Sequence, residues 1–202
     1  LYASGKQTSR FLKDVAKSSG LILPLCDEVF DEMGLSVADL DLIVYTKGPG
    51  AFTGVRMCVS VVQGMSLAYD ISTLGFSTLE VVGYGASKKY GKNNIAIALD
   101  ARMNEVYWGL YKQGVFSHEA LCKPNEVPQL GDEYIGVGTG WGAYKEALAE
   151  ASGIAQHLSD FYPKSESLIE LALTHVNENG VFDDKLPLPT YLRNNVAQKS
   201  LK

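Results

Sequence analysis

The sequence has few cysteines, and no two of them are close together. Only Cys26, Cys58 and Cys122 occur among 202 residues, and none belongs to a C-x-x-C pair. An odd number of widely spaced cysteines builds neither a disulfide framework nor a thiolate zinc site. We therefore expect reduced thiols that serve as small core residues.

Long apolar runs are also lacking. Charged residues or glycine interrupt every apolar stretch well before the ~20 residues that a membrane helix needs. No positively charged start followed by an apolar stretch indicates a signal peptide. These absences predict a cytoplasmic protein that does not enter the membrane.

Motifs for metal binding and for serine hydrolysis are absent as well. His118, His157 and His175 are far apart, so no H-x-x-x-H or H-E-x-x-H pair can place two metal ligands on adjacent helical turns. The chain also has no G-x-S-x-G nucleophile elbow. From these patterns we expect no metal site and no resident cofactor.

Positive charge is in short supply. The 18 Lys and Arg against 23 Asp and Glu give a formal net charge of -5. Proteins that grip nucleic acid usually do so with clustered Lys and Arg, so this balance opposes direct RNA binding. The hydrophobic share of 46% and the charged share of 20% are those of an ordinary globular protein.

What the sequence does contain is an alternation of strand and helix patterns. A turn at residues 3–6 predicts an N-terminal hairpin with a second strand over 7–12. Near the other end, two prolines predict a loop over 183–189, and an extended segment is expected to return to the body over 190–196. Between them, periodicity predicts helices over 20–33, 55–69, 77–89, 143–151 and 165–177 and strands over 40–45, 72–76, 95–99, 106–111 and 134–137.

A glycine-rich loop joins the strand predicted over 40–45 to the helix predicted over 55–69. Its residues are Gly48, Pro49, Gly50, Ala51, Phe52, Thr53, Gly54, Val55 and Arg56. It is not a Walker A loop, because Val-Arg follows the last glycine where Lys-Ser/Thr is required, and its spacing does not fit G-x-G-x-x-G. Two interpretations remain open: a tight structural turn, or a loop that binds a ligand through free backbone N–H groups.

A polar cluster lies between the strands predicted over 95–99 and 106–111, which are expected to form an antiparallel pair. Asp100, Arg102 and Glu105 fall in one short turn, where a carboxylate pair with an arginine could perform acid-base chemistry. The alternative is an arginine–carboxylate clasp that fixes the hairpin. We favour the clasp, because no nucleophile or histidine is near in the sequence.

Four ordered motifs resemble those of one family. Residues 47–56 closely resemble the GPG-[SA]-FTG-[LV]-R loop of the bacterial tRNA threonylcarbamoyladenosine biosynthesis family TsaB, also called YeaZ. Residues 75–79 resemble its G-V-S-[ST]-L, residues 100–107 its D-A-R-x-x-E-V-Y, and residues 189–193 its terminal P-x-Y-L-R. Together these motifs cover nearly the whole chain.

The resemblance implies an α/β, actin-like (sugar kinase/Hsp70 ATPase-like) two-lobed fold with mixed sheets flanked by helices. The first lobe would comprise residues 1–92 plus 180–202, and the second residues 93–179. Family members normally start with a strand that carries a D-T-[SA]-T turn, and Leu1 corresponds to a point after it. The family's His-[ST]-x-x-L-L-P is replaced by Ser18-Ser19-Gly20-Leu21-Ile22-Leu23-Pro24, so no role of that histidine transfers.

The resemblance also implies a function. The protein would be a non-catalytic scaffold that binds and activates TsaD in the threonylcarbamoylation of adenosine 37 of tRNAs reading codons that start with A. TsaE would join the assembly, tRNA would be contacted only indirectly, and the isolated protein would be a homodimer. No cofactor is implied, except that a nucleotide at the interface with the partner stays open. The alternative is an enzyme, either a nucleotide hydrolase or a peptidase acting on its relative.

The family interface is a helical face, which maps onto two helices here. In this interpretation the motif loops are structural or lie at the interface. The dimer and partner contacts would come from Leu21, Leu25, Val29, Val59, Val62 and Gln63.

Overall fold

The chain begins with a short antiparallel hairpin. The computed structural model describes residues 1–13, 20–180 and 186–193, and in it β1 (Tyr2–Ala3) pairs with β2 (Lys6–Gln7). Ser4 and Gly5 form the turn with positive φ angles of 49° and 77°. The predicted hairpin is confirmed, but its second strand ends at Gln7 instead of continuing to residue 12.

A two-stranded parallel sheet and two helices form the next layer. In chain order the elements are α1 (Ile22–Met33), β3 (Leu42–Thr46), α2 (Phe52–Tyr69) and β4 (Ser72–Phe76), with a 3-10 turn at Val37–Asp39. β3 and β4 are parallel and in register from Leu42 opposite Ser72 to Thr46 opposite Phe76. α1 ends at Gly34, whose left-handed φ of 65° only glycine adopts without cost.

The second layer is a five-stranded mixed sheet of order β7-β6-β5-β8-β9. Its strands are β5 (Asn94–Asp100), β6 (Val106–Lys112), β7 (Val115–Cys122), β8 (Ile135–Val137) and β9 (His157–Leu158). β7, β6 and β5 are antiparallel, whereas β8 and β9 join β5 in parallel. A 3-10 turn (Pro124–Glu126) and two helices, α4 (Gly140–Ala143) and α5 (Lys145–Ser152), cover one face.

Two helices connect the layers. α3 (Thr78–Tyr90) contributes Leu79 and Val82 to the core of the five-stranded sheet, and Val81 to a separate core with β4. α6 (Ser165–Asn179) packs against α3 and β3. Because α3 belongs to both cores, it holds the two sheets together.

Most predicted elements are confirmed, but the short helix α4 was not predicted. α2 begins at Phe52, three residues earlier than the pattern indicated, and β7 and β9 were not predicted. Of the predicted loop over 183–189 and the predicted return over 190–196, residues 186–193 are described, while residues 181–185 and 194–202 lie outside the described part. The division into lobes after residue 92 stays a prediction.

Candidate functional site

The glycine loop between β3 and α2 is bound to the corner between β4 and α3. The backbone N–H of Lys47 donates to the carbonyl of Phe76 at 2.9 Å, and the N–H of Thr78 donates to the carbonyl of Gly48 at 2.8 Å. Residues 75–79, the second motif, form this corner. The first two motifs are therefore joined directly through the backbone.

The C-terminal motif crosses the same loop. The N–H of Thr190 donates to the carbonyl of Lys47 at 2.7 Å. Gly48 has a φ of +106°, and a Cβ atom there would lie 2.8 Å from the carbonyl oxygen of Thr190. Glycine is required at this position both by the backbone conformation and by the close approach of the crossing segment.

Aromatic and cationic side chains extend this contact onto the first turns of α2. Arg56 Nε donates to the hydroxyl of Tyr191 at 2.7 Å, and its guanidinium carbon lies 3.5 Å from the centroid of the Phe52 ring. The Phe52 and Tyr191 rings are 5.8 Å apart. Arg56 makes no ion pair with any carboxylate in the described ranges, so the two rings and the hydroxyl are its partners.

The turn between β5 and β6 supplies the third motif. Arg102 pairs with Asp100 at 3.1 Å, and its backbone N–H donates to the same carboxylate at 2.8 Å. Three successive residues, Arg102 to Asn104, have φ angles near +60°. Tyr144 donates its hydroxyl to Asp100 at 3.3 Å; burial raises the pKa of Tyr144, and the neighbouring carboxylate adds to this.

Arg193 ties this turn to the C-terminal segment. Its Nη2 lies 2.6 Å from Glu105 Oε2 and 2.9 Å from the carbonyl oxygen of Ala101. Asp100 and Arg102 pair as the predicted clasp requires, but the partner of Glu105 is Arg193 and not Arg102. Tyr191 and Arg193 belong to the P-T-Y-L-R motif, but they were not predicted as site residues.

A cavity of about 430 Å³ lies where these motifs meet. Its wall combines residues 49–52 of the glycine loop, residues 100–102 of the turn, Tyr107, and residues 190–193. Both carboxylates of the turn are paired with arginine, whereas Arg56, on the neighbouring turn of α2, makes no ion pair within the described ranges. The site is therefore built of side chains that hold one another, around a cleft rich in arginine and tyrosine.

The described residues offer no cluster of three or more His, Cys, Asp or Glu side chains that could hold a metal ion. Cys26, Cys58 and Cys122 are free thiols, and burial raises the pKa of each. In the ranges that the structure covers, no helix is both long and apolar enough to cross a membrane.

The residues predicted for the helical interface fall into two groups. Leu21, Leu25 and Val29 are half-buried along α1. Val59 and Val62 are 3% and 6% exposed, because they pack with Tyr45 of β3, and Gln63 donates to the carbonyl of Pro187 at 2.6 Å. These α2 side chains are occupied within the chain, so a partner would meet other residues of the helix.

The apolar residues that α1 and α2 do expose were not predicted as contacts. Leu67 is 88% exposed, and Leu23 and Tyr69 are also largely exposed. Helical periodicity located the apolar residues, but it does not say which of two apolar faces turns toward the chain's own sheet.

Comparison with known proteins agrees with this geometry. The family described as "TsaD: tRNA N6-adenosine threonylcarbamoyltransferase" matches residues 15–201. The class of the protein is therefore that of TsaD-type domains with an actin-like α/β fold, and the predicted mixed sheets flanked by helices are confirmed. Proteins named tRNA threonylcarbamoyladenosine biosynthesis protein TsaB are similar over most of the chain. The chain belongs to the TsaB family, also called YeaZ, as its motifs predicted.

The similarity to individual proteins is extensive. The TsaB protein of Escherichia coli (strain K12) is 35% identical over 190 residues, which are 89% of this chain and 82% of that protein. The TsaB protein of Haemophilus influenzae is 31% identical over 195 residues, 89% of this chain and 81% of that protein.

Solved structures show the same relationship. The structure described as YeaZ from Pseudomonas aeruginosa superposes with a TM-score of 0.83 at 32% identity, covering 95% of this chain and 92% of that one. A second structure, described as an uncharacterized protein with similarity to peptidase YEAZ from Pseudomonas aeruginosa, has a TM-score of 0.78 at 34% identity. It covers 86% of this chain and 83% of that one.

Proposed function

We propose that the protein is a non-catalytic subunit in the biosynthesis of threonylcarbamoyladenosine on tRNA. It binds and activates TsaD, which transfers threonylcarbamoyl to adenosine 37 of tRNAs reading codons that start with A. TsaE joins this assembly, the isolated protein is a homodimer, and the work takes place in the cytoplasm. The observation on which this role depends is the family membership. The relatives are named as proteins of this pathway, and the similarity covers most of their length.

The chemistry of the four-motif site supports a structural role for its polar groups. A general acid or base must reach the proton that it transfers. Here Asp100 is held by Arg102 and Tyr144, and Glu105 by Arg193. Side chains that hold one another in this way maintain the relative positions of the loops, and they leave the reaction to the partner.

The surface of α1 and α2 supports the partner interaction. Leu67, Tyr69 and Leu23 are large apolar side chains that water reaches in the single chain. Apolar and aromatic residues of this kind form the centres of protein–protein interfaces. The net charge of -5 in turn supports tRNA contact through the partner and not through this chain.

Reconstitution tests the proposal. Threonylcarbamoyladenosine formation is measured with purified TsaD, TsaE and the enzyme that makes threonylcarbamoyl-adenylate, with and without this protein. We expect product only when the protein is present, and no product from the protein alone. Product formation that does not depend on the protein would contradict the proposed role.

A matched pair of variants tests the surface. Leu67→Asp places a charge on the exposed face of α2, and we expect loss of TsaD binding and of product formation. Val115→Asp is the control, because Val115 is 65% exposed on β7. Binding of TsaD is measured by size-exclusion chromatography. Equal binding by both variants would show that the exposed face of α2 does not contact TsaD.

A second candidate function is enzymatic, because the description of one similar structure mentions a peptidase. If the protein hydrolysed peptide or ATP by itself, Asp100→Ala and Arg102→Ala would abolish the turnover. We expect no turnover above that of a buffer blank.

A further inference from the structure

A second cavity, of about 640 Å³, lies between α3, α6 and the tip of the β6–β7 hairpin. It has no lining residue in common with the cavity of about 430 Å³ beside the glycine loop. Among its lining residues only Phe76, at the end of β4, belongs to one of the four motifs, and its side chain is apolar. It is therefore a separate feature of the molecule.

Two tyrosines line this cavity with their hydroxyl groups available. Tyr84 and Tyr111 are each only 6% exposed, and their rings meet edge to face at 6.5 Å. Neither hydroxyl makes a hydrogen bond to a described residue. Neither hydroxyl oxygen is fully buried either. Each hydroxyl therefore keeps some solvent-accessible surface, and both tyrosines line the cavity.

A carboxylate lies beside these hydroxyls. Glu80, one turn before Tyr84 on α3, lines the cavity and makes no ion pair within the described ranges. Burial raises the pKa of Glu80; Lys47 and the backbone N–H of Ser77 oppose this effect, and Glu119 adds to it. A buried carboxylate of this kind is stabilised when a cation approaches it.

The other charged side chains of the cavity wall determine whether a cation or an anion fits there. Glu178 on α6 adds a second carboxylate to the wall, and His175 lies edge-on to Phe76. Lys88 is the one lysine among the lining residues, and its Nζ lies 5.4 Å from the centroid of the Tyr84 ring. The cavity thus combines two carboxylates, two phenol rings and one ammonium group.

We propose that this cavity binds an organic cation with a flat head, of the arginine type. A guanidinium donates paired hydrogen bonds to a carboxylate such as Glu80 and stacks on tyrosine rings, which a compact ammonium does less well. The cation is either the arginine side chain of a partner protein or a free small guanidine compound. This proposal does not rest on the protein's role in tRNA modification.

The test uses N-acetyl-arginine amide and, as a neutral analogue of the same shape, N-acetyl-citrulline amide. Binding to the full chain at neutral pH is followed by NMR through the ring signals of Tyr84 and Tyr111. We expect saturable shifts with the arginine compound and none with citrulline. Equal shifts with both compounds, or no saturation, would overturn the proposal.

Three variants make the test specific. Glu80→Gln should weaken binding by roughly tenfold because it removes the charge of the carboxylate, whereas Lys88→Gln should strengthen binding because it removes a repelling cation. Glu150→Gln, at an exposed position of α5, should leave binding unchanged. Unchanged binding by Glu80→Gln, with native far-UV circular dichroism, would refute the site. If that variant does not fold, Tyr111→Phe replaces it, and we expect weaker binding there too.

The two sources of the cation are separated by a Gly-Ser peptide with one central arginine. A peptide that binds more tightly than the blocked amino acid supports a protein partner. A peptide that does not bind, while the blocked amino acid does, supports a free small cation. Failure of both probes would overturn the proposal and would leave the proposed function untouched.

Discussion

The two sheets of the molecule differ in how completely the chain covers them. In the five-stranded sheet, Ile95, Ala96, Ile97 and Ala98 of β5 are fully buried between α3 on one side and α4 and α5 on the other. In the β3–β4 layer, Ile43 and Val44 remain half-exposed, and α2 presents Leu67 to water. The five-stranded sheet is thus covered on both faces by its own helices, whereas the β3–β4 layer leaves apolar surface exposed to water.

The largest expected effect is in the covered half. Trp141 is 0% exposed, donates its indole N–H to the carbonyl of Ala96 at 3.3 Å, and stacks on His157. Trp141→Ala should lower the free energy of unfolding by about 3–5 kcal/mol, because it leaves a cavity that the sheet cannot fill. Urea denaturation followed by circular dichroism measures this. The matched change in the other half, Leu67→Ala, should alter stability by less than about 0.5 kcal/mol. Similar decreases in the free energy of unfolding for the two variants would contradict the difference between the two halves.

The next effect concerns the contact between the turn of the covered half and the C-terminal segment. Arg193 is 17% exposed at its side chain, and its guanidinium bonds both Glu105 and Ala101. Arg193→Ala should cost about 1–3 kcal/mol, since it removes hydrogen bonds made by a largely buried charge.

A double-mutant cycle with Glu105→Gln sharpens that prediction. The two losses should be less than additive, because each variant breaks the same pair. Lys123→Ala serves as the control, because the Lys123–Glu126 pair is exposed and should contribute less than about 1 kcal/mol. Additive losses at Arg193 and Glu105 would show that their pairing does not stabilise the turn.

The smallest effect is a pH dependence at the boundary between the halves. The pKa of Glu80 is raised in the folded protein, chiefly by burial. Between the unfolded and folded pKa values the folded state binds more protons, so the contribution of Glu80 to stability falls as pH rises through this window. Glu80→Gln removes this loss and should stabilise the protein at neutral pH but not below the unfolded pKa. A stability difference between variant and wild type that is the same at both pH values would contradict the assignment.

Sequence patterns located the local features well. α1 with its terminal Gly34, β4 and the β5–β6 pair are confirmed nearly residue for residue, because each has a clear period and a turn residue at its end. β7 was missed although Gln113 and Gly114, with positive φ, form its hairpin turn. His118 also has a positive φ and interrupts the alternation that predicts strands.

The site required information that no local pattern contains. Asp100 and Arg102 are two positions apart, and their pairing was predicted. Glu105 and Arg193 are 88 positions apart, and only the fold brings them together. The same holds for Gly48, whose need for glycine depends on the carbonyl of Thr190.

The crossing of residues 187–193 over the glycine loop has a consequence for the order of synthesis. A ribosome makes the other three motifs before this segment, so their residues are available to fold earlier. Until it emerges, Gly48 has no neighbour to make room for, Arg56 lacks the Tyr191 hydroxyl, and Glu105 lacks its cation. The four-motif site is therefore completed only after the residues of the other three motifs have been translated.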